Sequence, residues 1–231
     1  MFDFDREIDR SGTMSLKWDK YKGQDVLPMW VADTDFVSPP AVIEALTARV
    51  AHGIFGYSRP SPRLIELIIA RLASRYGWTI QPEWIVFLPG VVPGLSLACK
   101  AWSQHGRGII TPKPVYYPFL QAPGFNDRPL LTVPMVEEAG RWVLDIEELE
   151  RQAPAADLLL LCNPHNPGGT VFTREELLAI DAIAERHNLV ICSDEIHCDL
   201  LLDKDARHIP YGAISPAAAE RSAVMMAPSK T

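Results

Sequence analysis

The chain contains short segments in which apolar residues stand at consecutive positions, separated by stretches with helical spacing. These segments are Trp84–Leu88, Gly108–Thr111, Leu130–Val133, Leu158–Cys162, Leu189–Cys192 and Ala223–Met226. A continuous apolar run is typical of a strand buried on both faces, whereas a strand with one solvated face alternates. Because strands and helices alternate along the chain, the pattern predicts an α/β fold of three layers, α/β/α, with a mostly parallel sheet.

Capping signals mark the helices between these segments. Ser38-Pro39 and Ser61-Pro62 each supply an N-cap residue followed by a proline at the first helical position. Thr173 and Glu176 have the spacing of a capping box. The glycines expected to end the first two helices are Gly53 and Gly77. The first 45 residues or so fit the alternating pattern less well, so we assign them to a second, smaller lobe.

Composition excludes several functions. The chain has 231 residues, and its net charge of -7, from 22 basic and 29 acidic side chains, argues against nucleic-acid binding, which needs a basic surface. No apolar run approaches the ~18 residues of a membrane span. The four cysteines show no metal-ligand spacing and are expected to be free thiols in a reducing compartment. With no secretory signal visible, we expect a cytoplasmic protein without a metal site.

In parallel sheets ligands bind beyond the carboxyl ends of the strands. The segments that follow the predicted strands are rich in glycine, polar and aromatic residues. They are Pro89-Gly90-Val91-Val92, Pro112–Tyr117, Asn163–Gly169, Asp194–His197 and Ser229-Lys230. We therefore expect a binding site at this edge of the sheet.

Asp194 and Lys230 are the candidates for chemistry there. Asp194 follows a strand that should be buried, and a buried carboxylate requires a cation or several hydrogen-bond donors. It is either a capping residue at a strand end or the counter-ion of a protonated ring nitrogen. Lys230 follows another apolar strand, where burial would lower the pKa of its amine and make it nucleophilic. The alternative for Lys230 is an ordinary solvated lysine.

Three further features are weaker when taken alone. The amides at the start of the helix after Gly90 could hold a phosphate. Asn166, between His165 and Pro167, either offers an amide at a fixed place or belongs to a simple turn. Tyr116 either covers a flat ligand or is half-buried core.

Taken together, these segments resemble a known family. The residues that carry the resemblance are Pro28–Phe36 (PMWVADTDF), Phe55-Gly56-Tyr57, Pro89–Gly94, Asn163–Gly169, Ser193–Asp199 (SDEIHCD) and Pro228–Thr231. They resemble the pyridoxal-phosphate (PLP) enzymes of fold type I, the class I/II aminotransferase superfamily. Within it they are most similar to the MalY/PatB-type carbon–sulfur β-lyases, the cystathionine β-lyases. The resemblance covers essentially the whole chain.

The resemblance implies a role for each matching residue. Lys230 would bind the aldehyde of pyridoxal 5'-phosphate covalently, with Ser229 beside it, and Asp194 would pair with the pyridinium nitrogen. Asn166 would hydrogen-bond the phenolic oxygen of the cofactor, and His197 would lie near that oxygen. Tyr116 would stack on the cofactor ring, and the Val91 and Val92 amides would bind its phosphate. Tyr57 would contact the phosphate of the neighbouring subunit.

The implied protein is a homodimer with shared active sites that acts on a small amino-acid substrate. Cystathionine or a related S-substituted cysteine would be cleaved to thiol, pyruvate and ammonia. An aminotransferase on the same fold, or an inactive truncated fragment of either enzyme, is the alternative. The implied domains are residues 1–45, part of the small domain and a dimer arm, and residues 46–231, the PLP-binding large domain of transferase-like fold.

Two departures from the family pattern bear on activity. The chain stops at Thr231, one residue after the Schiff-base lysine, and Ala227 stands where many relatives have a phosphate-contacting serine. The family continues through much of the small domain and two arginines, which would bind the phosphate and the substrate carboxylate. We therefore expect this polypeptide, taken alone, to be a truncated form with only part of the small domain and little or no turnover.

Overall fold

The computed structural model of the protein describes residues 3–230. The chain divides between Pro60 and Ser61 into two compact units. The helices of the first unit are α1 (Leu16–Asp19) and α2 (Pro40–His52). The apolar side chains of α2 are exposed in the single chain: Val42, Ile43, Leu46 and Val50.

Helix α2 begins one residue later than its sequence predicted. The expected N-cap, Ser38, lies outside the helix, and Pro39 takes its place without a side-chain cap. A residue that precedes a proline is driven toward extended backbone, and Pro39, with ψ of 139°, is followed by Pro40. The expected end is correct, since Gly53 adopts a left-handed conformation with φ of 74°.

The second unit contains a six-stranded sheet. Its strands are β1 (Gly108–Lys113), β2 (Leu130–Glu138), β3 (Arg141–Leu144), β4 (Ala156–Cys162), β5 (Val190–Asp194) and β6 (Ser222–Met225). Their spatial order is β3-β2-β1-β4-β5-β6, and every neighbouring pair is parallel except β2 with β3. The predicted mostly parallel sheet is confirmed.

Within residues 61–230, six α-helices accompany the sheet. They are α3 (Pro62–Tyr76), α4 (Val91–Trp102), α5 (Tyr117–Phe125), α6 (Ile146–Gln152), α7 (Arg174–His187) and α8 (Pro216–Glu220). Short 3₁₀ helices lie at Pro82–Trp84, Ala153–Ala155, Tyr211–Ala213 and Pro228–Lys230. Within the described residues, no helix combines the length and the apolar character needed to cross a membrane.

Two separate cores explain why the strands are apolar at every position. Leu158 and Leu160 of β4 belong to the core that contains Phe119 of α5. The residues between and after them, Leu159 and Leu161, belong to the core that contains Leu177, Ile180 and Ile183 of α7. Because consecutive side chains of a strand point to opposite faces, each layer of helices requires its own apolar set. The three-layer α/β/α arrangement is therefore confirmed.

One predicted strand is wrong. Residues 85–88 of the expected strand Trp84–Leu88 have no regular structure, and Trp84 ends a 3₁₀ helix. Val86 is 75% exposed. An extended apolar segment becomes a strand only when a neighbouring strand supplies hydrogen bonds, and none of the strands in residues 3–230 pairs with this segment.

One strand was missed. β3 pairs antiparallel with the end of β2 through a tight turn in which Ala139 (φ 50°) and Gly140 (φ 80°) both have positive φ. Such turns favour asparagine, aspartate or glycine at both central positions, and the alanine hides the hairpin signal.

The capping box of α7 provides a test of the fold. The Thr173 side chain accepts from the Glu176 backbone N–H at 3.2 Å, and the Glu176 carboxylate accepts from the Thr173 N–H at 2.6 Å. We expect Thr173→Ala to lower the free energy of unfolding by about 1 kcal/mol because one helix-end amide loses its acceptor. Urea denaturation measures this, and Thr173→Ser, which keeps the hydroxyl, is the control. Equal stability of the two variants would contradict the cap.

Candidate active site

The loops that follow β1, β4 and β5 are joined by backbone hydrogen bonds at the carboxyl edge of the sheet. The Asn163 N–H donates to the Asp194 carbonyl oxygen at 3.0 Å, which ties the end of β4 to the end of β5. The Tyr116 N–H donates to the Asn166 carbonyl oxygen at 3.0 Å, which ties the loop after β1 to the loop after β4. Three of the predicted site residues, Tyr116, Asn166 and Asp194, are thus brought to one place.

Asp194 is the last residue of β5 and is only 5% exposed. Its Oδ1 accepts from the Ile196 N–H at 3.1 Å. Burial raises the pKa of Asp194 to about 6; the Ile196 hydrogen bond opposes this shift, and the negative charge of Glu195 adds to it. Among the described residues no cation is part of this balance, so ionised Asp194 is poorly compensated.

Lys230 lies at the same edge. It ends the 3₁₀ helix after β6, and β6 pairs with β5 so that Met225 is opposite Asp194. The pKa of His197 is lowered by burial and, second, by the positive charge of Lys230, so these two side chains interact electrostatically. Asp194 thus ends β5 and Lys230 follows the adjacent strand β6, with His197 in the loop between β5 and β6.

Helix α4 presents free backbone donors at its start. Gly90, with φ of 154°, precedes the helix and has no side chain to cap it. The first helical hydrogen bond runs from the Gly94 N–H to the Gly90 carbonyl oxygen at 3.1 Å. The N–H groups of Val91 and Val92 therefore precede the helical hydrogen-bond pattern, and they favour a bound anion.

Gly94 allows α4 to approach the end of β6. A Cβ atom at residue 94 would lie 2.9 Å from the Met225 sulfur and 3.1 Å from Cδ1 of Leu88. On its other side, the first turn of α4 borders an open cavity of about 340 Å³ that Val92 and Tyr116 line together. The start of α4 therefore belongs to the same edge as Tyr116 and Asp194.

Tyr116 and Asp194 also influence each other electrically. The pKa of Tyr116 is raised first by burial, then by Tyr117, whose ring meets it edge-on at 5.0 Å, and last by the charge of Asp194. The Tyr116 hydroxyl is therefore neutral near neutral pH. Its ring is 37% exposed and borders the cavity, so it is not an ordinary core residue.

Cys162 supports the Asn166 turn, a role that the sequence did not reveal. The Asn166 N–H donates to Cys162 Sγ at 3.4 Å, and Sγ lies 3.5 Å from the Pro164 carbonyl oxygen. Burial, with a smaller effect from Asp194, raises the pKa of Cys162 to about 12. A neutral thiol therefore both donates and accepts within the turn, and it fixes the backbone from which the Asn166 side chain extends.

Glu195 and His208 were also missed. Both side chains are fully buried, and His208 Nε2 lies 2.6 Å from Glu195 Oε2. Two acidic residues in succession at the end of a buried strand were the available signal for Glu195. His208 comes from a distant loop, and nothing in the sequence near it predicts this contact.

Two further predicted site residues are exposed. Tyr57 lies in the first unit with its side chain fully exposed, and Ser229 is exposed in the 3₁₀ helix that ends at Lys230. Their roles stay predictions. In the part of the chain that the structure describes, no cluster of three or more His, Cys, Asp or Glu side chains is arranged to hold a metal ion.

The segment Pro28–Phe36 belongs to the first unit, where Asp35 fastens it to α1 and its surroundings. Asp35 accepts from Lys17, from Trp18 Nε1 at 2.9 Å and from Arg10 at 2.7 Å. The pKa of Asp35 is lowered chiefly by Lys17 and then by Trp18. These contacts hold the backbone of the motif in one conformation.

A mostly parallel sheet with an acid, an amine and a helix start at its carboxyl edge has the architecture in which α/β proteins bind their ligands. Residues 25–229 match the family model "Aminotransferase class I and II", and the chain belongs to this family.

Individual relatives are similar over almost the whole chain. Cystathionine beta-lyase PatB of Bacillus subtilis is 42% identical over 99% of this chain and 60% of its own length. The crystal structure of OvoB, at 49% identity, superposes with a TM-score of 0.94 and covers 99% of this chain and 61% of that chain. Cystalysin from Treponema denticola, whose structure contains pyridoxal 5'-phosphate, has 33% identity, a TM-score of 0.93 and coverage of 100% and 60%. The chain thus spans about 60% of the length of the relatives it matches.

The raised pKa of Asp194 predicts a pH-dependent cost to stability. Between the unfolded pKa of 3.8 and the folded pKa of about 6, the folded state binds more protons, so rising pH removes stability. Asp194→Asn abolishes this cost. We therefore expect the variant to become more stable than the unsubstituted chain as the pH rises. In ligand-free protein the difference between their unfolding free energies should grow by up to about 3 kcal/mol between pH 4 and pH 7.

Urea denaturation at several pH values measures this difference. Asp157, whose pKa is lowered overall beside Arg107 although burial opposes this, is the control of opposite sign. Asp157→Asn should become relatively less stable as the pH rises. A constant stability difference for Asp194→Asn would contradict the burial argument.

Proposed function

We propose that this chain carries the pyridoxal 5'-phosphate site of a carbon–sulfur β-lyase. The observation that supports it most is the buried, poorly compensated Asp194 beside a strand that leads to Lys230, with the free amides of α4 at the same edge. These groups fit a flat ligand with a cationic ring nitrogen, an aldehyde and a phosphate. The similarity to a cystathionine β-lyase and to a PLP-containing structure points to the same chemistry.

Each residue has a distinct task in this proposal. Asp194 holds a proton on the ring nitrogen of the cofactor, and that cationic nitrogen compensates the buried carboxylate. The Asn166 amide and His197 would hold the phenolic oxygen, and Tyr116 would cover the ring. The Val91 and Val92 amides bind the phosphate.

Lys230 has two tasks, which are to bind the cofactor aldehyde and to accept the proton from the substrate Cα. When bound, pyridoxal 5'-phosphate supplies an electron sink for the charge left on that carbon. Expulsion of the thiolate from Cβ then gives, after hydrolysis, thiol, pyruvate and ammonia. The substrate class is cystathionine and related S-substituted cysteines.

The assembly and compartment are part of the proposal. Residues 46–231 would form the PLP-binding domain and residues 1–45 a dimer arm with part of the small domain. The exposed apolar side of α2 and the fully exposed Tyr57 support a homodimer in which Tyr57, with Ser229 on the other subunit, completes a shared site. The four thiols, all buried and outside disulfides, favour the reducing cytoplasm.

Covalent labelling tests the cofactor site. We expect the chain with pyridoxal 5'-phosphate to develop a visible absorption band that borohydride abolishes, leaving a reduced adduct on Lys230 by peptide mass spectrometry. Lys230→Ala should show neither band nor adduct. Lys100, exposed in α4, is the control, and Lys100→Ala should label normally. A label on Lys100 or on other surface lysines, with Lys230 unmodified, would exclude the site.

Product analysis separates the lyase from an aminotransferase, the second candidate, which shares its name with the family that the chain matches. With the protein from its native source, cystathionine should yield pyruvate and a thiol in equal amounts without any keto acid. Lys230→Ala should lose at least about a hundredfold in rate because proton transfer alone contributes that much. An absolute requirement for a keto-acid acceptor would favour the aminotransferase.

A further inference from the structure

Glu195 is a fully buried acid whose carboxylate is well supplied with donors. Oε1 accepts from Ser193 Oγ at 2.9 Å and from the Tyr211 N–H at 2.8 Å, and Oε2 accepts from His208 Nε2 at 2.6 Å. Three donors on one buried carboxylate compensate much of its desolvation. Glu195 therefore differs sharply from Asp194, the adjacent acid, which lacks such compensation.

The hydrogen bonds of Glu195 hold the end of β5 from the side opposite to Asp194. Successive side chains of a strand alternate between faces, and Ser193 shares the face of Glu195 because their side chains bond. Asp194 lies between them and points the other way. The backbone is fixed as well, since the Glu195 N–H donates to the Met225 carbonyl oxygen at 2.8 Å. A rotation at residue 195 would consequently turn the Asp194 carboxylate.

His208 connects this support to the loop after β5. Its ring meets Tyr76 edge-on, with 5.5 Å between ring centroids, and the Tyr76 hydroxyl donates to Asp199 Oδ1 at 3.1 Å. Asp199 also pairs with Arg71 of α3. The segment from Asp194 to Asp199, which includes His197, is thus held at both ends by side chains behind the site.

Electrostatics couples the two adjacent acids. The titratable groups that interact electrostatically with Asp194 are Glu195, Cys162, Cys192 and Tyr116. Glu195 also interacts with His208 and Cys198. The pKa values of these cysteines and of Tyr116 are raised, chiefly by burial, so they are neutral near neutral pH. Glu195 is therefore the negative neighbour that Asp194 experiences.

We propose that Glu195 and His208 form a positioning pair that orients Asp194 toward the ring nitrogen of the cofactor, so that breaking the pair weakens cofactor binding beyond any loss of stability. Neither residue touches the cofactor in this arrangement. The proposal rests on the proposed function for its effect on binding, whereas the coupling of Glu195 to Asp194 does not depend on it.

Three variants test the binding effect. Glu195→Ala removes all three hydrogen bonds, whereas Glu195→Gln removes the charge but keeps a carbonyl acceptor for Ser193 and Tyr211. Its amide NH2 then faces His208 Nε2, which can accept from it as the Nδ1-protonated tautomer. Tyr211→Phe is the matched control: it loses a buried hydrogen bond to Asp181 of 3.0 Å but keeps its backbone N–H on Glu195. Circular dichroism and thermal melting establish the folded fraction and the stability of each variant.

The dissociation constant of pyridoxal 5'-phosphate, from its visible band, is the first measurement. We expect a rise of roughly tenfold for Glu195→Ala and less than about threefold for Glu195→Gln, on the scale seen when the group behind a metal ligand is removed. Tyr211→Phe should bind normally despite its lower melting temperature. If Glu195→Ala does not fold, His208→Phe, which keeps a ring but has no donor for Glu195, takes its place with a weakening larger than that of Tyr211→Phe.

The Ile196 amide gives a second measurement without cofactor, because its N–H donates to Asp194. The chemical shift of this amide should titrate near pH 6 in the unsubstituted chain. In Glu195→Gln the midpoint should move to lower pH, because a like charge is gone. In Tyr211→Phe the midpoint should stay where it is in the unsubstituted chain. Equal binding losses in Glu195→Ala and Tyr211→Phe, or an unmoved Ile196 titration in Glu195→Gln, would overturn the positioning pair. Absence of cofactor binding by the unsubstituted chain would instead refute the proposed function, while the Ile196 titration would still decide the coupling.

Discussion

Burial of the sheet on both faces is the constraint on which the rest of the molecule depends. Strands that carry apolar side chains at every position must be covered on two sides, and the parallel arrangement accomplishes this with helices that return the chain to the opposite edge. The ends of β1, β4, β5 and β6 consequently meet at one edge, where Tyr116, Asn166, Asp194 and Lys230 follow them. The position of the site is thus determined by the topology of the sheet.

At that edge two adjacent carboxylates differ in how well hydrogen bonds compensate their burial. Glu195 has three donors and is satisfied within the protein, while Asp194 has a single backbone donor and a raised pKa. The protein tolerates an uncompensated acid because the surrounding strands and the Glu195 contacts determine its position. Binding of a cationic ligand beside Asp194 would restore the stability that this buried acid costs the protein.

The sequence predicted the features that arise from local patterns and missed those that depend on distant partners. Consecutive apolar runs predicted five of the strands, and Ser61, Thr173, Gly53 and Gly77 marked helix ends correctly. Trp84–Leu88 failed because strand formation needs a neighbour, which local composition does not report. Asp194 and Lys230 lie at strand ends as expected, and their roles stay predictions. The thiol behind Asn166 and the His208 contact depend on packing between segments that the local pattern does not relate.

Gly94 ties the helix that would hold a phosphate to the strand that leads to the lysine. Its missing side chain lets Met225 fill the space where a methyl group would otherwise stand. Residues 94 and 225 therefore share one space between α4 and β6. A larger side chain at one position requires a smaller side chain at the other. Across divergent sequences the side-chain volumes at these two positions should therefore covary. Their combined volume sets the distance between the start of α4 and the strand that leads to Lys230.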